Sequence, residues 1–472
     1  MHGSSSFVSS LHRLWLISLV CAFTLATATH GAGADEVDDY IRLQQQKWHI
    51  PGVALAVIRD GRVVKEQAYG LADVEQGVPV TLDTVFEIGS ITKQFTATAV
   101  MMLGEKGKIG LDEKASAYLE ALPGAWKEVT IRQLLSHTSG IPDYEAIMGY
   151  GSYRNPMTSA QVFALVADKP KDFPSGTKWS YSNTGYYLLT LILEKVSGEP
   201  YGEFLQKHIL QPLGMLQTRT SEPLDIIPRR SAGYAYEQER LQNRDPMQPT
   251  ATGGAGTLVS TLGDLAKWDR ELANPSLLSK ESYAQMWTDV PLSDGAPSGY
   301  GLGWFVSPIK DHRSQEHSGG TAGFAADVRR LLDDHLTVIV LTNCYCAGGS
   351  VASMTGHIAR LFIPALVYEP IADREPAVTA MVKEFFSHRT DPEVYDKPLS
   401  SELTAKMKPF WEGNRRFYQS LGPLQSLELV ERRDAGPARQ YRYRLRFKES
   451  TRLTLITLDG DGKISAARSE EE

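Results

Sequence analysis

The segment Gly89-Ser90-Ile91-Thr92-Lys93 holds a hydroxyl and an amine at a spacing that can bring them together. If a helix opens at Ser90, Lys93 lies one turn later on the same face. A lysine in a first helical turn opposes the helix dipole, which favours anions there. This lysine also sits in a run otherwise suited to burial. Both conditions disfavour the ammonium, and a neutral lysine can take a proton from a serine and so make it a nucleophile. The spacing alone carries little weight, because Ser175/Lys178 and Ser307/Lys310 repeat it. Neither of those pairs begins a long amphipathic helix: Ser175 lies in a Pro-Ser-Gly turn and Ser307 precedes Pro308. The bland alternative for Lys93 is an aliphatic stem that carries its charge out to solvent.

Two more groups carry chemistry. In Trp179-Ser180-Tyr181-Ser182-Asn183, Tyr181 can relay protons as phenol or phenolate, and Asn183 can hold a substrate amide. Tyr153-Arg154-Asn155 repeats that spacing, and an aromatic turn with an Asn helix cap is the structural alternative. In Glu316-His317-Ser318-Gly319-Gly320-Thr321-Ala322-Gly323, glycines such as Gly319 let a substrate backbone approach a strand edge closely. His317 there offers a donor or a positive charge to a substrate carboxylate or leaving group. A surface His on a flexible hairpin approach is the plainer reading.

The elements that must position these residues follow from periodicity. Val53 to Ile58 and the run from Val63 flank Asp60-Gly61 and read as a β-hairpin. From Ser90, apolar residues at Ile91, Phe95, Ala99 and Met102 mark a helix. Residues 115–290 alternate helical patterns with Gly and Pro loops, including a helical run from Gly185 to Val196. A second antiparallel pair, Gly323 to Leu332 and His335 to Thr342, turns at Asp333-Asp334, and a helix-like stretch runs from Val351 to Val367. These features predict an antiparallel sheet with helices and a large helical insertion between its first and last strands. The composition changes near Ala372, and residues 373–472 read as a separate small α+β domain of two helices followed by strands. In it, Tyr441, Tyr443, Leu445 and Phe447 alternate with Arg442, Arg444 and Arg446, which predicts one buried face and one basic, solvated face. Asp459-Gly-Asp-Gly reads as a strand-joining turn rather than a calcium loop.

Taken in order, Ser90-x-x-Lys93, Tyr181-x-Asn183 and His317-x-Gly319 resemble the serine β-lactamase and penicillin-binding family. The branch is that of class C β-lactamases, D-alanyl-D-alanine carboxypeptidases and related esterases. Leu134 to Pro142, Gly256 to Thr261 and Tyr300-Gly-Leu-Gly-Trp304 strengthen the resemblance, which covers about residues 36–370. It implies an α/β (α+β) fold of serine β-lactamase type: an antiparallel sheet flanked by helices, a helical region, and the small C-terminal domain. It implies Ser90 as nucleophile, Lys93 and Tyr181 sharing proton transfer, and Asn183, His317 and Gly319 binding substrate. The backbone N–H groups of Ser90 and Gly320 are then the oxyanion hole. His317 stands where true β-lactamases usually carry Lys, which points away from efficient β-lactam turnover and towards peptidase, esterase or slow penicillin-binding activity. The C-terminal domain vaguely resembles cystatin-like or NTF2-like domains.

The chain has 472 residues and a formal charge of −7, which argues against a nucleic-acid binder. Residues 373–472 hold 18 basic and 17 acidic side chains, so the acidity belongs to residues 35–372. Arg13 precedes an uncharged, mostly apolar run from Leu14 to Ala28, too short for a bilayer span, which ends in Ala26-Thr-Ala28 and is followed by Ala32-Gly-Ala34. Residues 1–34 therefore read as a signal peptide, with export to a periplasm or the medium and no stable membrane span after cleavage. Beyond it only Cys344 and Cys346 remain, too close in sequence to brace a fold. No metal or organic cofactor is implied. The expected partner is a small-molecule or peptide substrate; a sensor that acylates without turnover, or an inactive binding module, are the competing classes.

Overall fold

Successive side chains of a strand face opposite ways, and in Gly52–Arg59 both faces are covered. Ala54, Ala56 and Ile58 enter one hydrophobic core, while Val53, Leu55 and Val57 enter another. A computed structural model of the chain describes residues 32–149, 154–222, 224–346, 351–391, 397–435 and 438–472. Most of the segment read as a signal peptide lies outside the described residues. No helix among the described residues is long and apolar enough to cross a membrane.

The main body comprises α1 (Ala32–Trp48), β1 (Gly52–Arg59), β2 (Arg62–Asp73), α2 (Thr92–Glu105), α3 (Asn183–Ser197), β3 (Ser314–Gly320), β4 (Ala325–Leu331), β5 (Leu336–Thr342) and α4 (Val351–Phe362). The sheet runs β2-β1-β5-β4-β3, extended past β2 by Val78–Pro79, and all neighbours are antiparallel. The hairpin at Asp60-Gly61 forms as predicted, and β1 pairs with β5 in the register Val53↔Thr342, so the first and last strands of the main sheet lie side by side and close around the insertion. One face of the sheet carries α1 and α4 through Val37, Ile41, Met354 and Ile358. The other face meets the insertion, where Phe95 of α2 stacks on Trp268 at 4.4 Å.

Several readings change. The insertion also holds a three-stranded sheet (Phe86–Glu87, Leu258–Ser260, Arg219–Thr220) and a hairpin of Gly233–Glu237 with Arg240–Arg244. The helix from Val351 stops at Phe362 because Pro364 cannot continue it, leaving only a single turn at Pro364–Leu366. Residues 314–320, read as an approach to the strand pair, are themselves the edge strand β3. Cys344 and Cys346 are joined to each other, closing only the loop around Tyr345.

The C-terminal region has α5 (Pro376–Ser387), α6 (Ser401–Met407), α7 (Trp411–Ser420) and a meander of β6 (Leu424–Ala435), β7 (Ala438–Phe447), β8 (Thr451–Leu458) and β9 (Ile464–Glu471). It builds a core of its own from Phe385, Phe386, Tyr441, Tyr443, Leu445 and Ile456, among others. Two expectations here are corrected. There is a third helical segment, and the strands form a four-stranded meander. The arginine stripe is not a solvated face: Arg444 is buried, bonded to both carboxylate oxygens of Glu472 and to the Tyr368 carbonyl at 2.6 Å. Arg442 is held by Glu431 at 2.9 Å, and only Arg446 stays exposed. The stripe faces the main body, and ion pairing makes its burial tolerable. Asp459 caps the predicted turn, accepting the N–H groups of Asp461 and Lys463.

Candidate active site

Ser90 lies in a single tight turn, Gly89–Ile91, that leads into α2. Gly89 has φ +49°, a region that residues with a Cβ rarely adopt. The alternation of Ile91, Phe95 and Ala99 buries α2 in the main core, so Lys93 is carried inside with it and is 0% exposed. It does not reach solvent. Its Nζ lies 2.9 Å from Ser90 Oγ, 2.8 Å from Asn183 Oδ1 and 2.7 Å from the Ala255 carbonyl. Burial is the main cause that lowers its pKa to about 7, against weaker opposition from Glu145 and Asp143. The first turns of α2 and α3 thus meet at the Lys93 amine.

Tyr181 sits just before α3, with its ring 4.7 Å from Lys93 Nζ. Burial raises its pKa well above the ordinary tyrosine value, and its contact with Ser90 works the other way, so it is a neutral phenol. Behind it stands His137, whose Nδ1 accepts the Ser182 N–H at 3.1 Å and whose ring lies 4.2 Å from that of Tyr181. Desolvation keeps His137 neutral.

Asn183 is the first residue of α3 and does not cap it by its side chain. Its Oδ1 takes the Lys93 bond, and its Nδ2 donates to Glu145 at 2.7 Å and to Asp143 at 3.3 Å. In this structure Asn183 holds Lys93 and is itself anchored by Asp143 and Glu145. Burial, with Glu145 adding to it, raises Asp143 to about 6.

The edge strand β3 brings His317, Gly319 and Gly320 to Ser90. A methyl on Gly319 would stand 1.9 Å from the Ile88 carbonyl and 2.9 Å from Ser90 N, and one on Gly89 would stand 2.7 Å from Gly320 N. Only glycines allow this approach, which sets the N–H groups of Ser90 and Gly320 at one junction. His317 departs from the charged role the sequence offered. It is 1% exposed, its Nδ1–H donates to the Ser318 carbonyl at 2.6 Å, and its Nε2 accepts the Tyr300 hydroxyl at 2.8 Å. Burial, helped by Lys93, lowers its pKa to about 3, so it lines the site as a neutral ring.

A cleft of about 710 Å³ opens over Ser90, Tyr181, His317 and Gly319–Gly320. Of the residues named from sequence, Ser90, Tyr181, His317, Gly319 and Gly320 line the cleft, while Lys93 and Asn183 lie buried behind Ser90. Sequence reasoning gave no role to Tyr300 and His137, although both lie in stretches quoted for the resemblance. It had no signal for Asp143, Glu145 or the Ala255 carbonyl, whose roles arise from contacts across the insertion. It also gave the C-terminal domain no part in the site, yet that domain supplies part of the cleft wall.

The Beta-lactamase family model matches residues 37–360. Penicillin-binding protein 4* of Bacillus subtilis is 33% identical over 316 residues, covering 63% of this chain and 69% of that protein. The chain spans 61% and 62% of further relatives in Bacillus subtilis and Staphylococcus aureus. Among solved structures, a D-stereospecific amidohydrolase from Streptomyces is 27% identical with a TM-score of 0.59, covering 68% of this chain and 98% of that one. The octameric penicillin-binding protein homologue from Pyrococcus abyssi shares the fold, with a TM-score of 0.63 at 24% identity over 93% of this chain and 98% of its own.

Proposed function

The chain belongs to the Beta-lactamase family, and on that premise we propose that it is an exported serine hydrolase cleaving amide or ester bonds through an acyl-enzyme on Ser90. The site is of the serine-hydrolase type; the finer reading is a D-amino-acid peptidase or esterase rather than a β-lactamase. One observation carries it. A neutral amine has two N–H donors and one lone pair. The Asn183 Oδ1 and the Ala255 carbonyl take the two donors of Lys93, and the lone pair is left to Ser90 Oγ at 2.9 Å.

The chemistry follows from that arrangement. Lys93 Nζ takes the Ser90 proton as Oγ attacks the substrate carbonyl. The N–H groups of Ser90 and Gly320 hold the oxyanion. Tyr181, neutral and beside Ser90, passes a proton to the leaving group as the carbonyl re-forms. Water then attacks the acyl-enzyme along the same path in reverse. The neutral His317 supports the preference over β-lactams, since it brings no cation to this edge of the cleft. Likeness to a D-stereospecific amidohydrolase supports the D-amino-acid arm.

Intact-protein mass after exposure to a fluorophosphonate tests the reading. We expect one adduct on the wild type and none on Ser90→Ala. Parallel assays with p-nitrophenyl esters, D-amino-acid p-nitroanilides and nitrocefin should give turnover with the first two; no adduct and no turnover would refute the reading.

A further inference from the structure

Part of the cleft wall comes from the C-terminal domain. Asn414, Phe417 and Tyr418 are spaced by three and four residues on α7, so one face of that helix lines the cleft, and Arg452 of β8 and Ser469 of β9 complete the wall. The domain is fixed on both sides of the opening. At one side, Glu471 N donates to Ser353 Oγ of α4 at 3.0 Å, and Arg444 bonds the Tyr368 carbonyl. At the other, Lys178 pairs with Glu402 at 2.5 Å, and Arg468 lies 5.9 Å above the Trp179 ring, two residues before Tyr181.

Arg452 is the anomaly in this wall. It is 4% exposed, its Nε and Nη2 bond Ser469, and its guanidinium lies 5.1 Å over the Phe417 ring. Its Nη1 has no hydrogen-bond partner, and no carboxylate pairs with it among the described residues. The acids facing it from β9 are engaged elsewhere: Glu471 with Lys47 and Ser450, Glu470 with Arg360. Glu471 and Glu470 lie near enough to act on Arg452 through space, but neither bonds its guanidinium. A buried cation without a directly bonded anion is costly, and such departures belong to functional sites. His317 cannot serve as the cation of this cleft, because both its ring nitrogens are engaged and it is neutral.

We propose that the C-terminal domain supplies the anion subsite of this active site. Arg452 is its cation and Phe417 and Tyr418 are its apolar flank, so that preferred substrates carry a free carboxylate away from the scissile bond. The inference rests on the acyl-enzyme reading and adds the substrate class to it. A carboxylate brought in beside Phe417 gives the guanidinium the partner that the fold withholds, through charge-assisted hydrogen bonds.

Two matched substrate pairs test it on the full chain. One places the charge on the acyl side: mono-p-nitrophenyl esters of straight-chain dicarboxylic acids of six to ten carbons, against their monoamides. The other places it on the leaving group: butyryl esters of 4-hydroxybenzoate against 4-hydroxybenzamide. We expect kcat/KM to favour the acid over the amide by about ten- to a hundredfold in at least one pair, the size of a hydrogen bond to a charged group. Arg452→Met should erase that ratio and Arg452→Lys should restore part of it. A wild-type ratio of one or less in both pairs overturns the proposal without reference to any variant. So does an Arg452→Met chain that loses acid and amide turnover equally. Fluorophosphonate labelling of wild-type Ser90 separates the two levels: labelling without an acid preference removes only the subsite, whereas no labelling removes the acyl-enzyme reading beneath it.

Discussion

Lys93 is where burial becomes chemistry. Taking an ammonium out of water favours the neutral amine, and the Asn183 and Ala255 oxygens then orient what remains. Lys93→Ala should lower acylation by about 10²–10⁴-fold, the range expected for losing a positioned base. The pH dependence has a definite sign. If the free amine is the base, as proposed, kcat/KM should rise with pH through about 7 and level off above it. His317, neutral down to about 3, should add no inflection between them, and an activity that instead fell as pH rose through 6 to 7 would mean that a charged imidazole is needed. A stopped-flow acylation profile from pH 5 to 9 reads both. Tyr300→Phe should leave the buried His317 Nε2 without its donor, at a cost of about 1–3 kcal/mol measured by urea unfolding.

At the scale of elements, the site depends on how near an edge strand can come to a helix start. The approach of β3 to Ile88–Ser90 is closer than any side chain allows. Gly319→Ala should force β3 outward, pull the Gly320 N–H off the oxyanion and lower kcat by about 10²–10³-fold. Fluorophosphonate labelling rates would report the same loss, and an unchanged rate would separate Gly320 from the oxyanion hole. The helix α2 works by its burial pattern: Ile91, Phe95 and Ala99 fix its rotation, so the residue in register with Ser90 must point inward. The edge position of β3 also explains why the neighbouring cleft can be walled by another domain, since among the described residues no further strand occupies that side of the sheet.

At the scale of the molecule, the C-terminal domain docks through charged contacts made from both sides. Arg444 is buried between Glu472 and the Tyr368 carbonyl, and Arg360 of α4 reaches Glu470 at 3.6 Å. Arg444→Met leaves both partners unmatched at the junction, so it should cost about 3 kcal/mol or more by urea unfolding. Arg446→Met, on the exposed stretch of the same strand, should change stability by under about 1 kcal/mol. Equal effects would mean that the stripe does no docking. The Beta-lactamase match ends at residue 360, while the shared fold with the Pyrococcus abyssi protein spans 93% of the chain and so continues past that point.

The sequence by itself determined the local order: the Asp60-Gly61 hairpin, the amphipathic helix behind Ser90, the β4–β5 pair and the three motifs. Each of these rests on contacts a few residues apart, where periodicity and turn chemistry act directly. Tertiary structure decided what those residues are free to do. Asn183 became the support of Lys93 because Asp143 and Glu145 reach it from another loop, and His317 lost its charge because Tyr300 and the surrounding core enclose it. An alternating Arg pattern reads the same whether its face meets water or another domain, so Arg444 looked solvated until its neighbours were known. Arg452 is the clearest case. Its residue type and strand position are plain in sequence, but an unpaired charge is defined by what surrounds it, and those surroundings come from distant parts of the chain.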